Sequence, residues 1–122
     1  MKFREKILAS GAHLILGKDE ESNEELVRKF EGKPNTILHT VAPGSPFCVI
    51  DGILKPTSMD IVTSGAWCAR YSQDWRDNKS DIRINIFTGK DVYKSEDMPI
   101  GTFGVKKSKL IKIKKEEIQE LK

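Results

Sequence analysis

Leu38-His39-Thr40-Val41-Ala42-Pro43-Gly44-Ser45-Pro46-Phe47-Cys48-Val49-Ile50 reads as two strands held by a rigid connection. Thr36-Ile37-Leu38 enters it and Phe47-Cys48-Val49-Ile50 leaves it, both short, apolar and β-prone, with Pro-Gly-Ser-Pro between them. Pro43 fixes its own φ near −65°, and Gly44 takes positive φ at no steric cost. Ser45, preceding Pro46, is pushed toward extended backbone. The turn therefore holds His39, Ser45 and several backbone groups in a fixed relation. Two readings follow from these residues: a recognition loop for an anion or a base, or a hairpin with a hydrogen-bonded histidine.

Before this stretch, Phe3 to Ala9 and His13 to Gly17 read as a hairpin turning at Ser10-Gly11. The acids of Lys18-Asp19-Glu20-Glu21-Ser22-Asn23-Glu24-Glu25 suit the first turn of a helix, where they complement its dipole. Asp19 or Ser22 is the expected cap, and Ser22 with Glu25 has capping-box spacing. Leu26, Val27 and Phe30 supply the inner face of this acidic helix, and Glu31 to Asn35 end it.

After the stretch, Asp51-Gly52 and Lys55-Pro56 are breakers, and Thr57 to Asn78 carries the longest helical pattern. Ile61, Gly65, Cys68, Ser72 and Trp75 recur at helical spacing, so one face of small residues is expected to lie close on a sheet. Trp75 is either a core plug or a stacking platform. Ile82, Ile84 and Ile86 alternate with Arg83, Asn85 and Phe87, the signature of a half-buried strand. Val92-Tyr93, Thr102 to Val105 and Leu110 to Lys114 read as further short strands, with a turn or two of helix over Glu116 to Leu121. The expected fold is α+β: a single domain over residues 1–122, its largely antiparallel sheet packed against one long helix, plus the shorter acidic one.

At 122 residues the chain suits one domain with a real core. A net charge of +3 is too mild to imply nucleic acid by itself. The charge is uneven, however. Lys18 to Glu31 holds six acids against three bases, whereas Thr102 to Lys115 holds six lysines and no acid. A basic strand pair fits a phosphate-contacting face, and equally a lysine-guarded edge. No apolar run approaches a membrane span, and Met1 to Lys6 has no signal-peptide core, so a cytoplasmic location is expected. Cys48 and Cys68 then read as reduced core residues. No phosphate-binding glycine motif is present, and His13, His39, Cys48 and Cys68 are too scattered for a zinc site, so no metal or other cofactor is expected. Cys48 with His39 lacks an orienting third residue for nucleophilic catalysis.

Taken in order, four groups of residues resemble the NFACT-R domain, the RNA-binding domain on the C-terminal side of ribosome quality-control factors once labelled fibronectin-binding-like. The first is Ser10-Gly11, Leu14, Gly17-Lys18 and Ser22-Asn23-Glu24-Glu25-Leu26. The second is His39, Pro43-Gly44-Ser45-Pro46 and Val49-Ile50. The third is Ala66, Ala69, Tyr71-Ser72 and Trp75. The fourth is Val92-Tyr93-Lys94, Gly101-Thr102-Phe103 and the strand from Lys109 to Ile113. Lys18 stands where the family usually has arginine, a point charge in place of a bidentate fork. Asn35 to Leu38 replaces an acidic and aromatic pair before the histidine. The chain is also expected to be a stand-alone member, lacking the N-terminal module and coiled coil of those factors. The resemblance implies a non-enzymatic module contacting RNA, tRNA or rRNA, at or near the ribosome. Its expected contacts are Lys18, Arg70, Arg76, Arg83, Lys94, Lys106 and Lys107 on phosphate, with His39 and the Gly44-Ser45 backbone on base or sugar. The alternatives are a protein-interaction module docking on a ribosomal protein or partner subunit, and a small hydrolase using His39.

Overall fold

A computed structural model describes residues 2–121. Strands β1 (Arg4–Ile7) and β2 (His13–Leu16) form the first hairpin, followed by α1 (Glu20–Phe30). Strands β3 (Thr36–Thr40) and β4 (Cys48–Asp51) flank the Pro-Gly-Ser-Pro loop. Helices α2 (Ser58–Arg70) and α3 (Gln73–Asn78) come next, then β5 (Ile82–Thr88), β6 (Val92–Tyr93), β7 (Gly104–Val105), β8 (Lys109–Ile113) and α4 (Lys115–Gln119). Six strands make one antiparallel sheet in the order β1-β2-β4-β3-β5-β8, and β6 with β7 makes a small ribbon. The domain is α+β, with two helices longer than two turns.

Side chains alternate across a strand, so each strand serves two layers. Leu14, Leu16, Leu38, Cys48, Ile50, Ile82, Ile84 and Ile113 face α2 in one buried cluster with Ala66, Cys68, Ala69 and Trp75. Ile37, Val49 and Phe87 face the other way, packing with Leu26, Val27 and Phe30 of α1, Phe47, and Val92. Gly65 permits the close approach of α2. A Cβ there would lie 2.8 Å from Ile113 Cδ1 and 3.6 Å from Ile111 Cδ1. Trp75 is a core residue, and both cysteines are free and buried.

Four local expectations need correction. The helical pattern over Thr57 to Asn78 is two helices, broken at Tyr71-Ser72. Ser72 is extended, its hydroxyl accepts from Trp75 N at 3.1 Å and donates to Ala69 O at 2.6 Å, and it caps α3 while closing α2. Face periodicity runs through the break because α3 restarts in nearly the same phase. The cap of α1 is Asp19, whose carboxylate accepts from Ser22 N at 2.8 Å while Ser22 Oγ accepts from Asp19 N. The box therefore joins Asp19 to Ser22, not Ser22 to Glu25. The strand expected over Thr102 to Val105 is only Gly104–Val105. Finally, the lysine-rich segment is no strand pair: β7 pairs with β6, and β8 pairs with β5 at the edge of the large sheet.

Candidate nucleic-acid interface

Gly17 ends β2 where α1 must turn back toward β4. A side chain there would collide with Asn23, whose Oδ1 accepts from Phe47 N at 3.0 Å. Gly17 N also donates to Phe47 O. The buried amide of Phe47 is thereby satisfied by a residue on α1, which seats the end of the 41–47 loop on the start of that helix. From the other side, Gly44, at φ +90°, accepts from Gln73 N at 2.8 Å, so the first residue of α3 fixes the loop's middle. Ser45 Oγ accepts from Thr40 N at 3.1 Å and donates to Pro46 O at 3.1 Å, bracing the loop internally. The helix break at Ser72 is what allows this: α3 delivers both Gln73 to the loop and Arg76 to the space beside it.

That space is a groove of about 630 Å³. Its lining brings together Lys18, His39, Gly44, Ser45 and Arg76 of the expected contacts, and adds Arg4, Asn85 and Phe103. Its aromatic floor centres on Phe47. The His39 ring lies 4.4 Å from the Phe47 ring, and Phe103 and Phe87 meet Phe47 edge-on at 5.7 and 6.5 Å. Arg4 stacks on Tyr71 at 4.1 Å. The acids on the lining are Asp19 and Glu20; Asp19 is committed to the α1 cap, whose hydrogen bonds hold its carboxyl below the usual range.

His39 is half-buried, and its Nδ1 lies 2.7 Å from Thr40 O. A carbonyl can only accept, so Nδ1 carries the proton and Nε2 is left as an acceptor. Burial pulls the imidazole pKa below 6.5, with contacts to the Thr40 and Ser45 backbone opposing it, so the ring is neutral near pH 7. Cys48 does not complete a catalytic pair with it. Cys48 stands opposite Leu38, on the α2 side of the sheet, whereas His39 projects from the other side. Burial, with the neighbouring Cys68 thiol adding to it, pushes the Cys48 thiol well above its ordinary range. Among the described residues no group of three potential ligands converges on a metal position.

The remaining expected contacts lie elsewhere. Lys94 is an internal tie: its ammonium donates to Glu24 at 2.9 Å, Pro99 O at 2.6 Å and Thr102 O at 2.7 Å, and lies 4.6 Å from the Phe103 ring centre. Glu24 also accepts from Gly101 N at 2.8 Å and from Arg28, so it staples the 94–103 loop onto α1 and places Phe103 in the groove wall. Arg70 is exposed at the end of α2, and Lys106 and Lys107 are exposed between β7 and β8. Arg83 is exposed on β5, on the same face as His39. A second groove, about 900 Å³ and more apolar, runs beside β8 and is lined by Ile61, Val62, Ile86, Leu110, Lys107 and Lys109 among others.

Arg4, Asn85 and Phe103 were not among the contacts expected from sequence, although Phe103 stands in the fourth group of resembling residues. Asn85 had a visible signal, since it is a polar residue on the outward phase of the Ile82-Ile84-Ile86 alternation. Arg4 and Phe103 reach the groove only through β1–β2 pairing and the Glu24 staple, which no local pattern encodes.

A single α+β domain that cuts a cation-rimmed, aromatic-floored groove beside a braced loop defines a binding module. Residues 2–107 match the family described as "NFACT protein RNA binding domain", and the chain belongs to that family. No curated protein matches the sequence. Among solved structures it is similar to the C-terminal part of the fibronectin/fibrinogen-binding protein (FBPS) of Streptococcus suis, with a TM-score of 0.85 and 18% identity. The alignment covers 100% of this chain and 49% of that one, so the shared fold spans about half of the solved chain. Among the described residues no helix is long and apolar enough to cross a membrane.

Proposed function

We propose that this domain binds tRNA or ribosome-associated RNA in the His39 groove, in the cytoplasm, and performs no chemistry on it. The observation that carries the reading is the state of His39. A neutral ring with its proton committed to Thr40 presents one fixed acceptor, Nε2, beside an aromatic floor and an arginine rim. An acceptor of that kind suits a 2′-hydroxyl or an exocyclic amino group, rings suit bases, and Arg4 and Arg76 suit phosphate. The exposed Lys106 and Lys107 add positive field without a fixed geometry.

The apolar groove beside β8 favours a second reading, a protein segment docked against Val62 and Leu110. Crosslinking in cells followed by pull-down separates the two. The RNA reading expects tRNA or rRNA fragments recovered with the wild type and depleted with His39→Ala. Recovery of a protein partner with no enriched RNA would replace it with the docking reading.

A further inference from the structure

The groove does not end at its rim. Strand register places His39, Asn85 and Leu110 in one row across β3, β5 and β8, on the face away from α2. One row further, Arg83 stands directly opposite Lys112, and Val41 N donates to Arg83 O at 2.9 Å on the other side. Alternation keeps all of these side chains on one face. It is open: Arg83 and Lys112 are exposed, Leu110 is 58% exposed and Val41 43%. Neither cation has an ion-pair or hydrogen-bond partner among the described residues. Like charges directly opposite across a ladder are destabilising, so this pair costs the free protein something. It is also continuous with the groove. Asn85 and Val41, on this same face, line the groove.

We infer that Arg83 and Lys112 form a phosphate clamp on the open sheet face, holding an RNA strand that leaves the His39 groove across β5 and β8. Two cations facing each other without an anion are complementary to a polyanion, and Val41 and Leu110 give apolar support to sugar or base beside them. The clamp lies about 7 Å along the strands and up to about 10 Å across them from His39, a reach of a few nucleotides. It rests on the groove reading: the same strand occupies both. Asp91, also on the second groove's lining, does not compete for the cations, because its carboxylate is taken by Thr88 N at 3.0 Å and Thr88 Oγ1 at 3.2 Å.

The test titrates a short and a long uridine oligonucleotide over several salt concentrations. The wild type should gain affinity with length. Arg83→Gln with Lys112→Gln should remove that gain, a drop of roughly tenfold or more on the long strand, and flatten its salt slope by about 1.4, near 0.7 per lost contact on a single strand. Binding of the short strand should be unchanged. The denaturation midpoint should equal or exceed that of the wild type, which a merely structural pair would not give. Wild-type affinity and slope for the long strand in the double variant, with Arg76→Gln weakening both strands, would overturn the clamp and leave the groove standing. If Arg76→Gln and His39→Ala leave both strands untouched, the groove is not the site, and the track that continues it falls too.

Discussion

The two faces of the six-stranded sheet are built from alternate residues of the same strands, yet they do different work. On the α2 side Ile82, Ile84 and Ile113 are fully buried, and the absent side chain of Gly65 lets the helix sit down on them. On the other side α1 and the β6–β7 ribbon cover Ile37, Val49 and Phe87, and stop. Beyond them Asn85 is half-buried and Arg83 exposed. One face is sealed by aliphatic packing, while the other is half-sealed and keeps polar and cationic groups at fixed spacing. A strand of seven residues, β5, carries both assignments one residue apart.

The sharpest way to break that contrast is to truncate neighbours on β5. Ile84→Ala should cost about 2–5 kcal/mol in urea unfolding, the range for emptying a close-packed site. Asn85→Ala should shift stability by no more than about 0.5 kcal/mol and weaken RNA binding instead. Equal stability losses at the two positions would erase the distinction between the faces.

Next in size, Gly65→Leu should cost about 1–3 kcal/mol, because the new side chain must displace Ile113 from a filled layer. An unchanged denaturation midpoint would show that α2 does not sit where described. On the half-sealed face, Lys94→Ala should cost about 1–2 kcal/mol, removing a donor shared by Glu24, Pro99 O and Thr102 O. Burial alone would raise the Glu24 pKa, but hydrogen bonds from Lys94, Gly101 and Arg28 outweigh it and hold the carboxyl below 4.5. A depressed carboxylate stabilises above its unfolded pKa and is lost as pH falls through the folded one, so the Lys94→Ala penalty should shrink in acid below about pH 4.5. A penalty independent of pH there would mean that Lys94 acts by packing only.

The smallest effect belongs to His39. Its folded pKa is depressed chiefly by burial, so its contribution to stability is complete above 6.5 and declines as pH falls through 6.5 toward the lower folded value. RNA affinity should follow the same direction if Nε2 acts as an acceptor, since protonation converts it to a donor. His39→Ala should flatten that profile. Tightening of wild-type binding as pH falls would instead make His39 a phosphate contact.

Much of the sealed face was legible in the sequence. The Ile82-Ile84-Ile86 alternation, the Ser10-Gly11 hairpin and the small-residue face around Gly65 are local patterns, and each describes what one element does. The groove was legible at His39, Gly44 and Ser45 of the loop and at Lys18 and Arg76 beside it. Arg4 arrives through strand pairing, and Phe103 through a contact between Glu24 and a loop some seventy residues later. Lys94, named with the resemblance, turns its ammonium to Glu24 and two carbonyls, an arrangement that only the fold shows. The Ser72 break was hidden because a capping serine at the right phase leaves the helical periodicity intact.

RNA lying in the His39 groove with its phosphates against the arginine rim is the central proposal. The direct measurement is a tRNA binding titration across salt concentrations for the wild type and for Arg4→Gln with Arg76→Gln. The wild type should bind in a salt-dependent way, and the slope of log affinity against log salt should fall by up to about 2 in the double variant, near one per lost phosphate contact. A wild type that shows no salt-dependent binding, or a double variant with an unchanged slope and affinity, would contradict it.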